Sequence, residues 1–276
     1  RVSSQWIAGQ TFNMHAQMQQ VSLRVILRAV FGLQEGEQFE QIREILIEML
    51  DVFNSSFSSA FLFLEFLQKD LGNWSPWGRF IRKREQLDRL LYATIHQRRD
   101  RSDAPADDIL SLLLSARDDN GQPMSDVELR DELMTMLFAG HETTATGLSW
   151  AFYWIHRLPE VREKLMQELS QIDLNTTEPM EIVRLPYLNA VCSETLRIYP
   201  VVLFTLPRRL TAPWHLMGYD IPAGVILSPC IYLTHHRSDL YPDSKQFKPE
   251  RFLERQFSPY EYLPFGGGNR RCLGMA

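Results

Sequence analysis

The sequence predicts a mainly α-helical chain with a small β portion, on three observations. Apolar residues recur at helical spacing through about residues 1–199, and short polar breaks separate the periodic stretches. From Pro200 onward the texture changes to short apolar runs cut by Pro and Gly. No internal repeat or low-complexity tract is visible, so residues 1–276 read as one domain.

The first clear helix carries Leu23, Ile26, Leu27, Val30 and Phe31 on one face and stops at Gly32. Residues 37–53 and 78–99 show amphipathic patterns of the same kind, and 101–107 reads as a loop. After the turn at 118–123, Ser125 and Glu128 form a capping box that starts a long helix through Leu129, Leu133 and Leu137, expected to run well past residue 145. Pro159 opens a further helix with Val161, Leu165 and Leu169 on one side. Pro186 opens another, expected to carry Leu188, Val191, Cys192 and Thr195 inward. The runs 214–217 and 225–227 then read as strands of one small sheet.

Composition narrows the classes of function. With 45% hydrophobic and 23% charged residues the chain can build a substantial core, which excludes disorder and collagen-like structure. A formal net charge of -5 gives no electrostatic footprint for nucleic acid. Cys192, Cys230 and Cys272 lie too far apart for a zinc or disulfide framework, which favours a reducing compartment. No segment reaches the roughly 18 uncharged apolar residues of a membrane span. Residues 57–67 come nearest but hold Glu65, and they read as a buried helix before a membrane-touching patch. The sequons at Asn54 and Asn175 read as chance matches. The chain begins with Arg1 and no signal-peptide pattern follows, so it is expected to be a fragment lacking both ends.

The chemistry concentrates near the C-terminus. In Phe265-Gly266-Gly267-Gly268-Asn269-Arg270-Arg271-Cys272-Leu273-Gly274, glycines let the backbone close around a flat ligand, and the arginines can pair with carboxylates. Cationic neighbours and a helix start favour the thiolate of Cys272, the form that binds iron. Upstream, Glu194 and Arg197 share a helix face and can form an ion pair. In the long helix, Ala139-Gly140-His141-Glu142-Thr143-Thr144 sets a gap, an acid and hydroxyls in an apolar context. Thr143 is expected to turn its hydroxyl from the preceding turn and open a local distortion.

The spacing Phe-x-x-Gly-x-Arg-x-Cys-x-Gly resembles the haem-binding loop of the cytochrome P-450 superfamily, whose iron is held by a Cys thiolate. The resemblance implies that superfamily's mostly helical fold in truncated form, with haem b as cofactor and Cys272 as iron ligand. It places Arg270 and Arg208 at the haem propionates, and Phe265, Gly268, Gly274, Ala139 and Gly140 against the cofactor. Glu194 and Arg197, with Arg251 of Pro249-Glu250-Arg251-Phe252, resemble its structural Glu-x-x-Arg triad. Thr143 and Glu142 would serve oxygen handling and proton relay. The implied reaction inserts one atom of O2 into a C–H bond of a small apolar substrate, with electrons from a separate ferredoxin or flavin reductase. The motifs look most like bacterial long-chain fatty-acid hydroxylases, which implies a fatty acid or similar lipid as substrate, with an apolar terpenoid or retinoid as the alternative, and a cytoplasmic location, with peripheral membrane association as the alternative. Phe204 and Thr205 would line the substrate pocket. Peroxide-driven oxidation or isomerisation on the same haem is the alternative.

Two rivals are weaker. A His-Glu-x-x-His zinc helix starting at His141 fails because residue 145 is alanine. The glycine loop lacks the Gly-Lys-Ser/Thr ending of a phosphate-binding loop. His235, His236, His156 and His215 show no partner spacing and read as ordinary surface or core residues.

Overall fold

A computed structural model of the chain describes residues 6–33, 36–54, 68–100, 108–173 and 176–275. Residues 57–67, the loop 101–107 and at least part of each sequon lie outside them. The helices are α1 (Met14–Phe31), α2 (Glu37–Asn54), α3 (Pro76–Asp100), α4 (Ile109–Ser115), α5 (Asp126–Arg157), α6 (Pro159–Leu169), α7 (Pro179–Ile182) and α8 (Pro186–Ile198). Strands β1 (Arg208–Arg209), β2 (Trp214–Leu216), β3 (Tyr219–Ile221) and β4 (Ile226–Leu227) follow, then the short helices α9 (Ile231–His235) and α10 (Arg251–Glu254). The mainly helical class with a minor β part is therefore what the chain adopts. Residues 19–142 form one compact unit and most of the remainder a second, with α1 and α5 contributing to both.

In the 19–142 unit the core joins Leu23, Leu27 and Phe31 of α1 to Leu87, Leu91 and Ile95 of α3 and to Leu129, Leu133 and Leu137 of α5. Each such side chain contributes about 1.5–3 kcal/mol on burial. The end of α1 is fixed by charge as well. Arg98 donates to the Phe31 carbonyl at 2.8 Å and to Asp108 at 2.6 Å, while Asp108 caps α4 through the Ser111 amide at 2.8 Å. Burial pushes the Asp108 carboxyl up, but the Ser111 and Arg98 donors outweigh it and hold the group below its ordinary range. The capping box at Ser125 and Glu128 forms in both directions, at 2.8 and 3.3 Å.

In the second unit Val161, Leu165, Tyr187, Val191, Ile198 and Phe247 make a smaller core, and Trp154 stacks on Phe247 at 4.9 Å. Leu185, the residue that precedes α8, supplies no side-chain cap. Glu168 of α6 does that work, accepting from the Tyr187 and Leu188 amides at 2.7 and 2.9 Å. Cys192 is exposed, which corrects its expected place in the core. The inward face of α8 is taken instead by Val191, Glu194, Thr195 and Arg197.

The β portion also differs from expectation. Residues 214–216 pair with 219–221 in a tight hairpin, and 226–227 pair with 208–209, so two separate ribbons replace one sheet. The reason lies at Met217 and Gly218, whose φ values of 50° and 87° make a two-residue turn of the kind that matches strand twist.

Candidate functional site

The most buried polar cluster is built on Glu194 and Arg197, both 0% exposed, with Arg251 at 9%. Arg197 forks onto Glu194 at 2.6 and 2.8 Å, and Arg251 reaches the same carboxylate at 3.1 Å. The Lys248 amide adds a fourth donor at 2.8 Å. Arg197 then spends its remaining N–H groups on the carbonyls of His235, Ser244 and Gln246 at 2.7, 2.9 and 3.2 Å. The three residues expected as a triad are thus brought together, and they fasten the segment 235–251 to α8.

That segment leads to the cysteine loop. Its root is held at three consecutive residues. Tyr241 donates to the Glu261 carbonyl at 2.9 Å, Tyr262 donates to the Ser193 carbonyl at 3.0 Å, and the Leu263 amide donates to His235 at 3.0 Å. The loop then closes on itself, with Gly266 N–H on Leu263 O at 3.0 Å and Cys272 N–H on Phe265 O at 2.9 Å. Gly266 and Gly268 take φ values of 72° and 64°, which a residue with a Cβ rarely adopts. Among the described residues no atom lies within 4 Å of a Cβ built on Gly266, Gly267 or Gly268, which leaves this rim room for a flat ligand to lie against.

Cys272 is exposed on that loop, with Gly274 directly behind it: a Cβ there would lie 3.8 Å from the sulfur. Arg270 is exposed beside it. Arg271 donates to the Met275 thioether at 3.1 Å. The donor set discriminates between metals. Among the described residues no group of three or more His, Cys, Asp or Glu could hold an ion, whereas zinc needs three or four protein ligands. A single thiolate suits an iron whose other ligands come from a macrocycle. The residues present therefore fit haem.

On α5, residues 139–144 remain in unbroken α-helix, so the local distortion expected at Thr143 is not there. Ala139 and Thr143, four apart, are both exposed on the same face. Gly140 has a packing role: a Cβ would sit 2.6 Å from Ile26 Cδ1, so its absence lets α1 approach. Ser22 of α1 donates to the carbonyls of Gly140 and His141 at 3.2 and 2.8 Å. Gln19 donates to the Glu142 carboxylate at 2.9 Å.

Arg208 is exposed in β1, its guanidinium turned to the carbonyls of Leu206 and Pro207 at 2.9 and 3.4 Å. Phe204 is exposed and bridges Cys230 through the backbone, and the Thr205 amide bonds Pro229. Three participants were not foreseen. Gln19 and Ser22 carry no sequence signal. His235 was visible only as one of two adjacent histidines, and its partners are backbone groups that no side-chain spacing records.

The family profile for Cytochrome P450 matches residues 4–276, and the chain belongs to that family, which implies haem as its cofactor. It is 40% identical over 270 residues to cytochrome P450 135B1 of Mycobacterium tuberculosis, covering 98% of this chain and 55% of that protein. It is 34% identical to cytochrome P450 138 of Mycobacterium bovis, covering 100% of this chain and 59% of that protein. The structure of a cyanobacterial CYP120A1 bound to retinoic acid superposes with a TM-score of 0.80 at 30% identity, over 99% of this chain and 60% of that one. The chain thus spans little more than half the length of the proteins it matches.

Proposed function

We propose that this chain is part of a haem-dependent monooxygenase that inserts one oxygen atom of O2 into a C–H bond of an apolar substrate, a fatty acid or similar lipid. A separate ferredoxin or flavin reductase supplies the electrons, and the bacterial relatives support a cytoplasmic setting. The observation that carries this reading is the loop that presents Cys272, with no cluster of metal-ligating side chains among the described residues, on a glycine rim with room for a planar group.

Cys272 would hold the haem iron, Arg270 and Arg208 would meet the propionates, and Phe265, Gly268, Gly274, Ala139 and Gly140 would line the cofactor. When bound, haem with a thiolate ligand supplies dioxygen activation and favours O–O cleavage. The chain's own part is to hold the ligand and move protons. Glu142, oriented by Gln19, would pass protons inward, and the Thr143 hydroxyl would receive and direct them. The exposed side chains of Val202, Leu203, Phe204 and Leu206 after α8 supply apolar surface for the substrate. The retinoic acid in the cyanobacterial relative, an apolar body ending in a carboxylate, supports the lipid class.

The test is the absorption spectrum of the reduced, CO-bound protein expressed from the full reading frame, beside Cys272→Ser. A strongly red-shifted Soret band lost in the variant is the expected result. An unshifted band in the unmodified protein would remove Cys272 as ligand.

A further inference from the structure

His235 lies between the triad and the cysteine loop. Its ring is 0% exposed, stacks on Tyr262 at 5.4 Å and meets Tyr241 edge-on at 6.2 Å. Each ring nitrogen faces a backbone group of fixed chemistry. The Arg197 carbonyl, 3.2 Å from Nδ1, can only accept, and the Leu263 amide, 3.0 Å from Nε2, can only donate. Together they specify a neutral ring with its proton on Nδ1. Arg197 is the centre of the buried cluster, and the Leu263 carbonyl accepts from Gly266 at the mouth of the loop that Cys272 closes.

We propose that His235 is a positioning residue for Cys272: its neutral ring ties the last turn of α8 to Leu263, the residue from which the cysteine loop springs. The tie is read from geometry alone, while its consequence for the iron ligand rests on the function proposed above. Protonation at Nε2 would replace the acceptor with a donor pointed at another donor, and the tie would open. Burial, together with the Arg197 charge and His236, lowers the ring to about 4. The other titratable or charged groups facing it are Glu194 on α8, Arg251 on α10 behind the Tyr241 ring, and the phenols of Tyr241 and Tyr262. Burial pushes both phenols up, so they stay neutral. A ring whose folded value lies below its ordinary one near 6.5 contributes in full above that pH, and the contribution is lost as pH falls toward about 4.

The test compares His235→Gln, His235→Asn and His235→Phe in the full-length, haem-loaded protein. Glutamine sets an amide oxygen where Nε2 lies and keeps the acceptor for Leu263. Asparagine sets its nitrogen near Nδ1 and keeps only the bond to Arg197. Expected is amide exchange at Leu263 faster by about tenfold in Asn and Phe, the loss of one anchoring hydrogen bond, with Gln close to the native rate. In the native protein the red-shifted CO band should hold down to mildly acid pH and give way to an unshifted one as pH falls through about 4, and Gln should remove that pH dependence. Protection of Leu263 by Asn as good as by Gln, or native behaviour in all three variants, would overturn the proposal. If the variants do not fold, the imidazole nitrogen spectrum of the native protein decides: a proton on Nδ1 supports the tie, and a proton on Nε2 refutes it. Protection of Leu263 by this pattern without any red-shifted band would sink the haem-thiolate reading and leave the tie standing.

Discussion

Glu194 receives four donors on two oxygens, from Arg197 twice, Arg251 and the Lys248 amide, and no water can reach it at 0% exposure. Its value is therefore set by what its loss would strand. Glu194→Ala leaves two guanidinium groups buried without a counter-charge, and breaking such a pair costs about 3–5 kcal/mol. Urea unfolding should show that loss, whereas the solvent-screened pair Arg237–Asp239 treated the same way should barely move the midpoint. The spacing of Glu194 and Arg197 was legible in the sequence, and so was the arginine at 251. Their burial was not, because it comes from carbonyls 38, 47 and 49 residues farther along, and a main-chain acceptor leaves no mark on residue type.

Among the elements, the periodic helices were the easiest to read: Leu23, Leu27, Val30 and Phe31 on α1 and the leucines of α5 are buried where the 3.6-residue repeat puts them, with Ile26 partly buried beside them. The hairpin at 214–221 was missed because Met217, a residue that disfavours positive φ, occupies a turn position normally held by Asn or Gly. Gly140 was read as a gap in α5, whereas it is the contact point with α1. Alanine gains about 1 kcal/mol over glycine in a helix interior. Gly140→Ala should therefore stabilise by about that amount in an Ile26→Ala background, while in the native background displacement of Ile26 offsets the gain. A double-mutant cycle by thermal unfolding measures the coupling, and equal effects in both backgrounds would remove Gly140 as a packing residue.

For the molecule as a whole, acid is the direction of weakness. Asp108 and His235 both have folded values below their ordinary ones, so both contribute stability at neutral pH that is lost on acidification. The histidine part goes first, between about 6.5 and about 4, and the aspartate part below the ordinary carboxylate value of 3.8. A melting-temperature profile of the native protein should fall in that order. His235→Gln should flatten the upper part and Asp108→Asn the lower, and a melting temperature that rose on acidification would contradict both assignments.

The three carbonyls gathered by Arg197 also bear on time. A chain that folds from local contacts outward forms α6 and α8 early, and it meets the closure entropy of the 235–251 segment only when Arg197 is already in place to receive it. Arg251 then arrives on a carboxylate half occupied. Interactions completed that late are absent from the transition state, so weakening them speeds unfolding and leaves refolding nearly unchanged. Arg251→Leu should show that asymmetry in stopped-flow kinetics. The Glu194 cluster would then govern how long the cysteine loop stays closed more than how quickly it is made.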